Sequence, residues 1–185
     1  MNIKELHKCE FVDFPIQELS LILGWDNLDD LDLCIFYKTL EGKTGGVFTP
    51  EYNNNKESCG SLTSFPYIYL YGEPRPCATN CEEIVRISKS DNIEEINIVI
   101  IDYPRTIDPE KYRNSHIYDF KLDVIGESTT IRMSLKDPKS QGTIWHLAKI
   151  IRREKEFRLF NYSSLINLSD AFDTIPGFST IVTSN

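Results

Sequence analysis

The chain has 185 residues, 41% of them hydrophobic, and its 28 acidic and 20 basic side chains give a net charge of −8. That balance excludes a general nucleic-acid binder, whose phosphate affinity comes from clustered Lys and Arg. No apolar run approaches the ~20 residues of a membrane-spanning helix, and no Pro/Gly/Ser-rich linker interrupts the chain, so residues 1–185 read as one domain around one core.

The segment Met1 to Lys8 lacks the apolar stretch of a secretory signal, which makes the cytoplasm the expected compartment. Beyond it, short segments rich in β-branched and aromatic residues alternate with turn residues, the pattern of an all-β, two-sheet β-sandwich. In chain order the expected strands are 9–14, 19–23, 31–37, 46–49, 67–71, 83–88, 95–101, 117–125, 129–135, 143–151 and 156–161. Asn97 to Ile101 is apolar on both faces and reads as a central strand. Tyr118, Phe120, Leu122 and Val124 alternate with Asp119, Lys121 and Asp123, and Ile131, Met133 and Leu135 alternate with Arg132, Ser134 and Lys136. Gly126-Glu127 between these two runs makes them a hairpin. Over 143–151, Ile144, Leu147, Ala148 and Ile151 fit helical spacing as well, but the turn at Glu154-Lys155-Glu156 and the renewed alternation from Phe157 favour a strand. A short helix over 164–172, capped by Ser163 or Ser164, is expected near the C-terminus.

Acids are densest where strand 19–23 runs into strand 31–37, in Gly24-Trp25-Asp26 followed by Asp29, Asp30 and Asp32. In extended chain alternate side chains share a face, so Asp30 and Asp32 point one way, about 7 Å apart, and Leu31, Leu33 and Ile35 the other. Their repulsion is about 0.6 kcal/mol in water and about 2 kcal/mol at an effective dielectric of ~20. A surface strand tolerates that, so the pair alone is equally a solvated acidic rim. A second cluster, Glu73 with Glu82 and Glu83, ends strand 67–71 and begins strand 83–88. Where both clusters meet at one sheet edge, a hard divalent cation with oxygen ligands holds them together.

Taken in order, Gly24-Trp25-Asp26, Asp30-Leu31-Asp32-Leu33 with Phe36, Tyr52-Asn53-Asn54, Gly72-Glu73 and Glu82-Glu83-Ile84 resemble the signature segments of the TerD-like tellurium-resistance and stress-protein family. Later core strands at 93–101 and around Arg152 and Glu156-Phe157-Arg158-Leu159 are similar too, so the likeness spans roughly residues 18–162. The resemblance implies a calcium-binding β-sandwich that is not an enzyme and acts through contacts with other proteins of a stress-resistance complex. It places Asp30, Asp32, Glu73, Glu82 and Glu83 on or beside Ca2+-ligand positions, with Asp26 a nearby helper. The chain departs from the pattern where the family's Gly-Asp-Asn loop is Gly72-Glu73-Pro74 and where Arg75 to Cys81 replaces a Gly/Asp-rich stretch. Glu for Asp lengthens the ligand arm, which calcium's flexible shell accommodates, but fewer loop aspartates imply one weak site instead of two tight ones.

Two alternatives stand beside that reading. One is a metal-free scaffold subunit of the same fold, with residues 59–81 and 105–112 as partner surface. The other is a zinc or redox site built from Cys59, Cys77 and Cys81. Against the second, an odd total of five cysteines in a chain large enough to need no disulfide staples fits a reducing compartment and thiols without a role. The sequons at Asn161 and Asn167 are then incidental. Trp25 reads as core, Arg152-Arg153 as a solvated strand end, and His146 as a satisfied structural histidine. No Gly-x-Ser-x-Gly, His-Glu-x-x-His or glycine-rich phosphate loop offers catalytic chemistry.

Overall fold

Period-two alternation of apolar side chains closes two sheets face to face in the computed structural model, which describes residues 2–26, 31–71, 80–102, 106, 118–137, 143–154 and 156–182. The strands are β1 (Asn2–Glu5), β2 (Phe11–Pro15), β3 (Leu19–Trp25), β4 (Leu31–Thr39), β5 (Thr44–Val47), β6 (Ile68–Tyr71), β7 (Cys81–Ile87), β8 (Ile93–Asp102), β9 (Tyr118–Ile125), β10 (Thr129–Asp137), β11 (Ile144–Arg152) and β12 (Glu156–Ile166), followed by helix α1 (Leu168–Thr174). The first sheet runs β1-β10-β9-β3-β7-β6 and the second β2-β12-β11-β8-β4-β5, so the architecture is the all-β, two-sheet sandwich expected. Among the described residues, ten of the twelve strands pair only antiparallel; β1 lies parallel to β10.

Between the sheets, Leu21, Leu23, Val85 and Leu122 from the first meet Leu33, Ile35, Ile98, Ile100, Trp145 and Leu159 from the second, all buried. Each such side chain contributes about 1.5–3 kcal/mol on leaving water. Trp25 belongs to this core. A second apolar layer covers the outer face of the second sheet, where Cys34, Phe36, Val99, Ile101 and Ile144 lie under Ala171, Ile175, Phe178 and Ile181 of the C-terminal segment. Strands β4 and β8 are thus buried on both faces, which is why 97–101 reads as apolar throughout.

The structure corrects several details. Strand β1 was not anticipated, because its four residues are all exposed and carry no apolar alternation. Strand β12 continues to Ile166, so α1 starts later than expected and is capped by Asn167, whose side chain accepts from the Asp170 N–H at 2.8 Å, in place of Ser163 or Ser164. Arg152 is no solvated strand end. Its guanidinium donates to the carbonyls of Ile93 (2.7 Å) and Ser90 and lies over the Phe157 ring. The Asn161 sequon is buried, with Nδ2 donating to the Leu6 carbonyl at 2.7 Å.

Candidate functional site

Strands β3, β4, β7 and β8 begin or end at one end of the sandwich, and there the expected acids gather. Along β4, Leu31, Leu33, Ile35 and Tyr37 face the inter-sheet core while Cys34 and Phe36 face the outer layer; alternation places Asp32 with the latter pair. Only 8% of Asp32 is exposed. Its Oδ2 accepts a hydrogen bond from the Tyr52 hydroxyl. Tyr52 closes a 3₁₀ turn, Pro50–Tyr52, started by Thr49, whose hydroxyl oxygen accepts from the Glu51 N–H at 3.4 Å, and its ring packs 6.2 Å from that of Phe48.

Glu83 arrives from the other sheet. On β7 the side chains of Cys81, Glu83, Val85 and Ile87 point inward, those of Glu82 and Arg86 outward. Glu83, 3% exposed, accepts from the backbone N–H of Leu33 through Oε2. The bond has a topological cause: β5 stops at Val47, opposite Ile35, so among the described strands the first part of β4 pairs with β8 alone. A buried N–H left there without an acceptor costs about 1–3 kcal/mol, and the carboxylate supplies one.

Tyr52 and Cys34 feel both acids. Burial first, then Cys34, Asp32 and Glu83, push the Tyr52 phenol far above its ordinary range, and burial followed by Asp32 and Glu83 raises the Cys34 thiol well above its own. Both groups therefore stay protonated, one a hydrogen-bond donor and the other an inert thiol. Asp102, 4% exposed, ends β8 opposite Leu31 and adds a further buried carboxyl at this end.

The other expected residues fall differently. Asp26 is exposed, and its Oδ1 accepts from the Asn80 N–H at 3.1 Å. Glu82 lies across from Gly24 on the outer face of the first sheet, so adjacent Glu82 and Glu83 point to opposite sides. Asp26 and Glu82 share a cavity of about 470 Å³ with Asp119, Lys121 and Ser134. Asp30 and Glu73 lie outside the described residues. Asp32 and Glu83 thus share Tyr52 and Cys34 as neighbours on which both act, while Glu82 points to the opposite side from Glu83.

Carboxylate oxygens suit calcium, which takes six to eight oxygen ligands, and the carboxylates at this end that could offer them, Asp32 and Glu83, each already accept a hydrogen bond from the protein. Among the described residues no group of three His, Cys, Asp or Glu is arranged to hold a metal ion, so a full shell needs donors beyond these. The thiolate alternative fares worse. Cys81 is disulfide-bonded and has no thiolate to give, Cys59 Sγ lies 3.0 Å from the Lys56 carbonyl, and Cys77 lies outside the described residues. His146 is not the satisfied histidine expected, since its buried Nε2 has no hydrogen-bond partner among the described residues.

The sequence marks Tyr52-Asn53-Asn54 as a segment but not Tyr52 as the donor to Asp32. Nothing in the linear pattern announces a phenol twenty residues away. Asp102 had a fainter signal, a carboxylate ending an apolar run. Compared with protein-family models and with curated proteins, the chain matches none.

Proposed function

We propose that the protein is a non-enzymatic calcium-binding sandwich module of the TerD-like type, acting in a cytoplasmic stress or tellurite-resistance system by presenting its loop rim to partner proteins. The observation that supports this reading is that strands of different sheets bring Asp32 and Glu83 to one end of the fold, both buried and both acting on Tyr52 and Cys34. Bound calcium would neutralise these carboxylates and draw in oxygen donors from the adjoining loops. The chain's own contribution is to fix the two carboxylates on rigid strands, while the Asp26 carboxylate, just after β3, accepts from the Asn80 N–H just before β7.

Thermal unfolding in millimolar calcium tests the proposal. At tenfold excess over Kd, binding adds about 1.4 kcal/mol, or roughly 3–6 °C for a chain of this size. Asp32→Ala is expected to remove the calcium-dependent rise, whatever it does to the melting temperature in chelator. No rise in the wild-type protein would defeat the reading.

A metal-free scaffold is the second reading, and one observation favours it: Asp32 and Glu83 each already have a protein donor, the Tyr52 hydroxyl and the Leu33 N–H. Such a protein would melt at one temperature in calcium and in chelator and would still retain its partners.

A further inference from the structure

We propose that the cavity of about 470 Å³ on the outer face of the first sheet binds a small basic amino acid, its carboxylate held by Lys121 and Ser134 and its ammonium groups by Glu82 and Asp26. Strand register builds the site. Glu82 in β7 lies opposite Gly24 in β3, Gly24 opposite Lys121 in β9, and Lys121 opposite Ser134 in β10. Four neighbouring strands thus set a carboxylate, a bare backbone, an ammonium and a hydroxyl in one row. Trp25 and Phe120, each one residue away from this row, belong to the inter-sheet core, which leaves the row itself on the outer face. Glu83 points inward from the same strand as Glu82, so the cavity stands apart from the buried acids and from the calcium reading.

Gly24 opens the row. Adjacent strands run about 4.8 Å apart, so the backbones that carry Glu82 and Lys121 are separated by about 10 Å with no side chain between them. Lys121 leans into that space, since a Cβ on Gly24 would lie 3.3 Å from its Cε and 3.8 Å from its Cγ. Yet among the described residues the side chains of Lys121 and Glu82 make no hydrogen bond or ion pair, with each other or with a neighbour. Opposite charges that flank a cavity without bridging leave one partner each for a ligand that carries both signs. An ammonium only donates and a carboxylate only accepts, so Lys121 selects the acid end of such a ligand and Glu82 its amine end. Among the described lining residues Asp26, Glu82 and Asp119 set three carboxylates against the single ammonium of Lys121. That balance favours a zwitterion with a second amine over a dicarboxylate. The volume lies within the range of about 300–1,000 Å³ that small-molecule sites occupy.

The test is a titration of the full chain with L-lysine in chelator, followed by amide chemical shifts, beside a parallel titration with cadaverine, the same molecule without its carboxylate. L-Lysine should shift the amides of Gly24, Lys121 and Ser134 saturably and bind about tenfold more tightly than cadaverine, the worth of a charge-assisted hydrogen bond. Lys121→Met should abolish that preference, and Glu82→Gln should weaken both ligands. Both side chains are exposed, so the fold should survive either change. No saturable shift with L-lysine overturns the proposal. Cadaverine binding as tightly as L-lysine overturns it in favour of a site for simple amines, and wild-type behaviour of either variant overturns the roles given to Lys121 and Glu82. Should Lys121→Met fail to fold, Lys121→Gln takes its place.

Discussion

Glu83 spans the two sheets with one side chain, its backbone in β7 and its carboxylate on the N–H of Leu33 in β4. Glu83→Leu keeps the volume but strands that N–H, and is expected to cost about 1–3 kcal/mol in urea unfolding; Glu83→Gln retains an acceptor and should cost less. His146 adds a pH dependence of opposite origin. Burial, reinforced by Lys149 and opposed by Glu95, lowers its pKa from 6.5 to about 4, and the Tyr162 ring covers it at 4.9 Å. A histidine depressed in the folded state stabilises the fold fully above its unfolded value, and that contribution is lost as pH falls from about 6.5 through about 4. The shift corresponds to roughly 3 kcal/mol. Above pH 5 ordinary carboxylates remain ionised, so the early part of the loss should belong to His146, and His146→Phe should flatten the urea midpoint between pH 6.5 and 5. Of these residue-scale features, the facing of Asp32 away from Leu31 and Leu33 was legible because strand period alone decides it. The opposition of Glu82 and Glu83 follows from the same rule, yet grouping them by proximity in sequence hid it. Neither the Tyr52 contact nor the burial of His146 was legible, since both depend on segments brought together only by the fold.

Individual elements explain why one strand resembled a helix. Strand β11 has a bulge between His146 and Ala148, so Leu147 and Ala148 both enter the inter-sheet core. One extra residue breaks strict alternation and gives Ile144, Leu147, Ala148 and Ile151 the spacing of a helical face. At the C-terminus the sequence showed a helix but not its purpose. Phe178, in the 3₁₀ turn Phe178–Ile181, packs 4.9 Å from the Phe36 ring and seals the outer face of β4 and β8, while Gly177, at φ +88°, turns the chain so closely that an added Cβ would lie 2.4 Å from the Gly45 carbonyl oxygen. That site needs a glycine for conformation and for space. Phe178→Ala should therefore cost about 3–5 kcal/mol, and Cys34, which lies in the same apolar layer, should become reactive toward a thiol reagent that the intact protein resists. Unchanged Cys34 labelling in a destabilised Phe178→Ala would mean that the C-terminal segment does not act as its cover.

At the scale of the whole molecule the two sheets are laced by one chain that passes repeatedly between them: β1 to β2, β2 to β3, β3 to β4, β5 to β6, β7 to β8, β8 to β9 and β10 to β11 all change sheet. Leu6 sits in the first of these crossings with 3% exposure, its N–H bonded to the Arg132 carbonyl of the first sheet at 2.9 Å and its carbonyl to Asn161 of the second. A cavity at Leu6 therefore weakens a joint between the sheets, and Leu6→Ala should cost about 2–5 kcal/mol. The two tryptophans report on the sheets separately, Trp25 from β3 and Trp145 from β11, both within the shared core. With Trp25→Phe or Trp145→Phe as background, fluorescence follows one sheet at a time, and Leu6→Ala should lower both midpoints equally, in step with far-UV circular dichroism. Midpoints that separate would show the sheets unfolding as distinct units, in which case Asp32 and Glu83, one from each sheet, would lose their common frame before either sheet had melted.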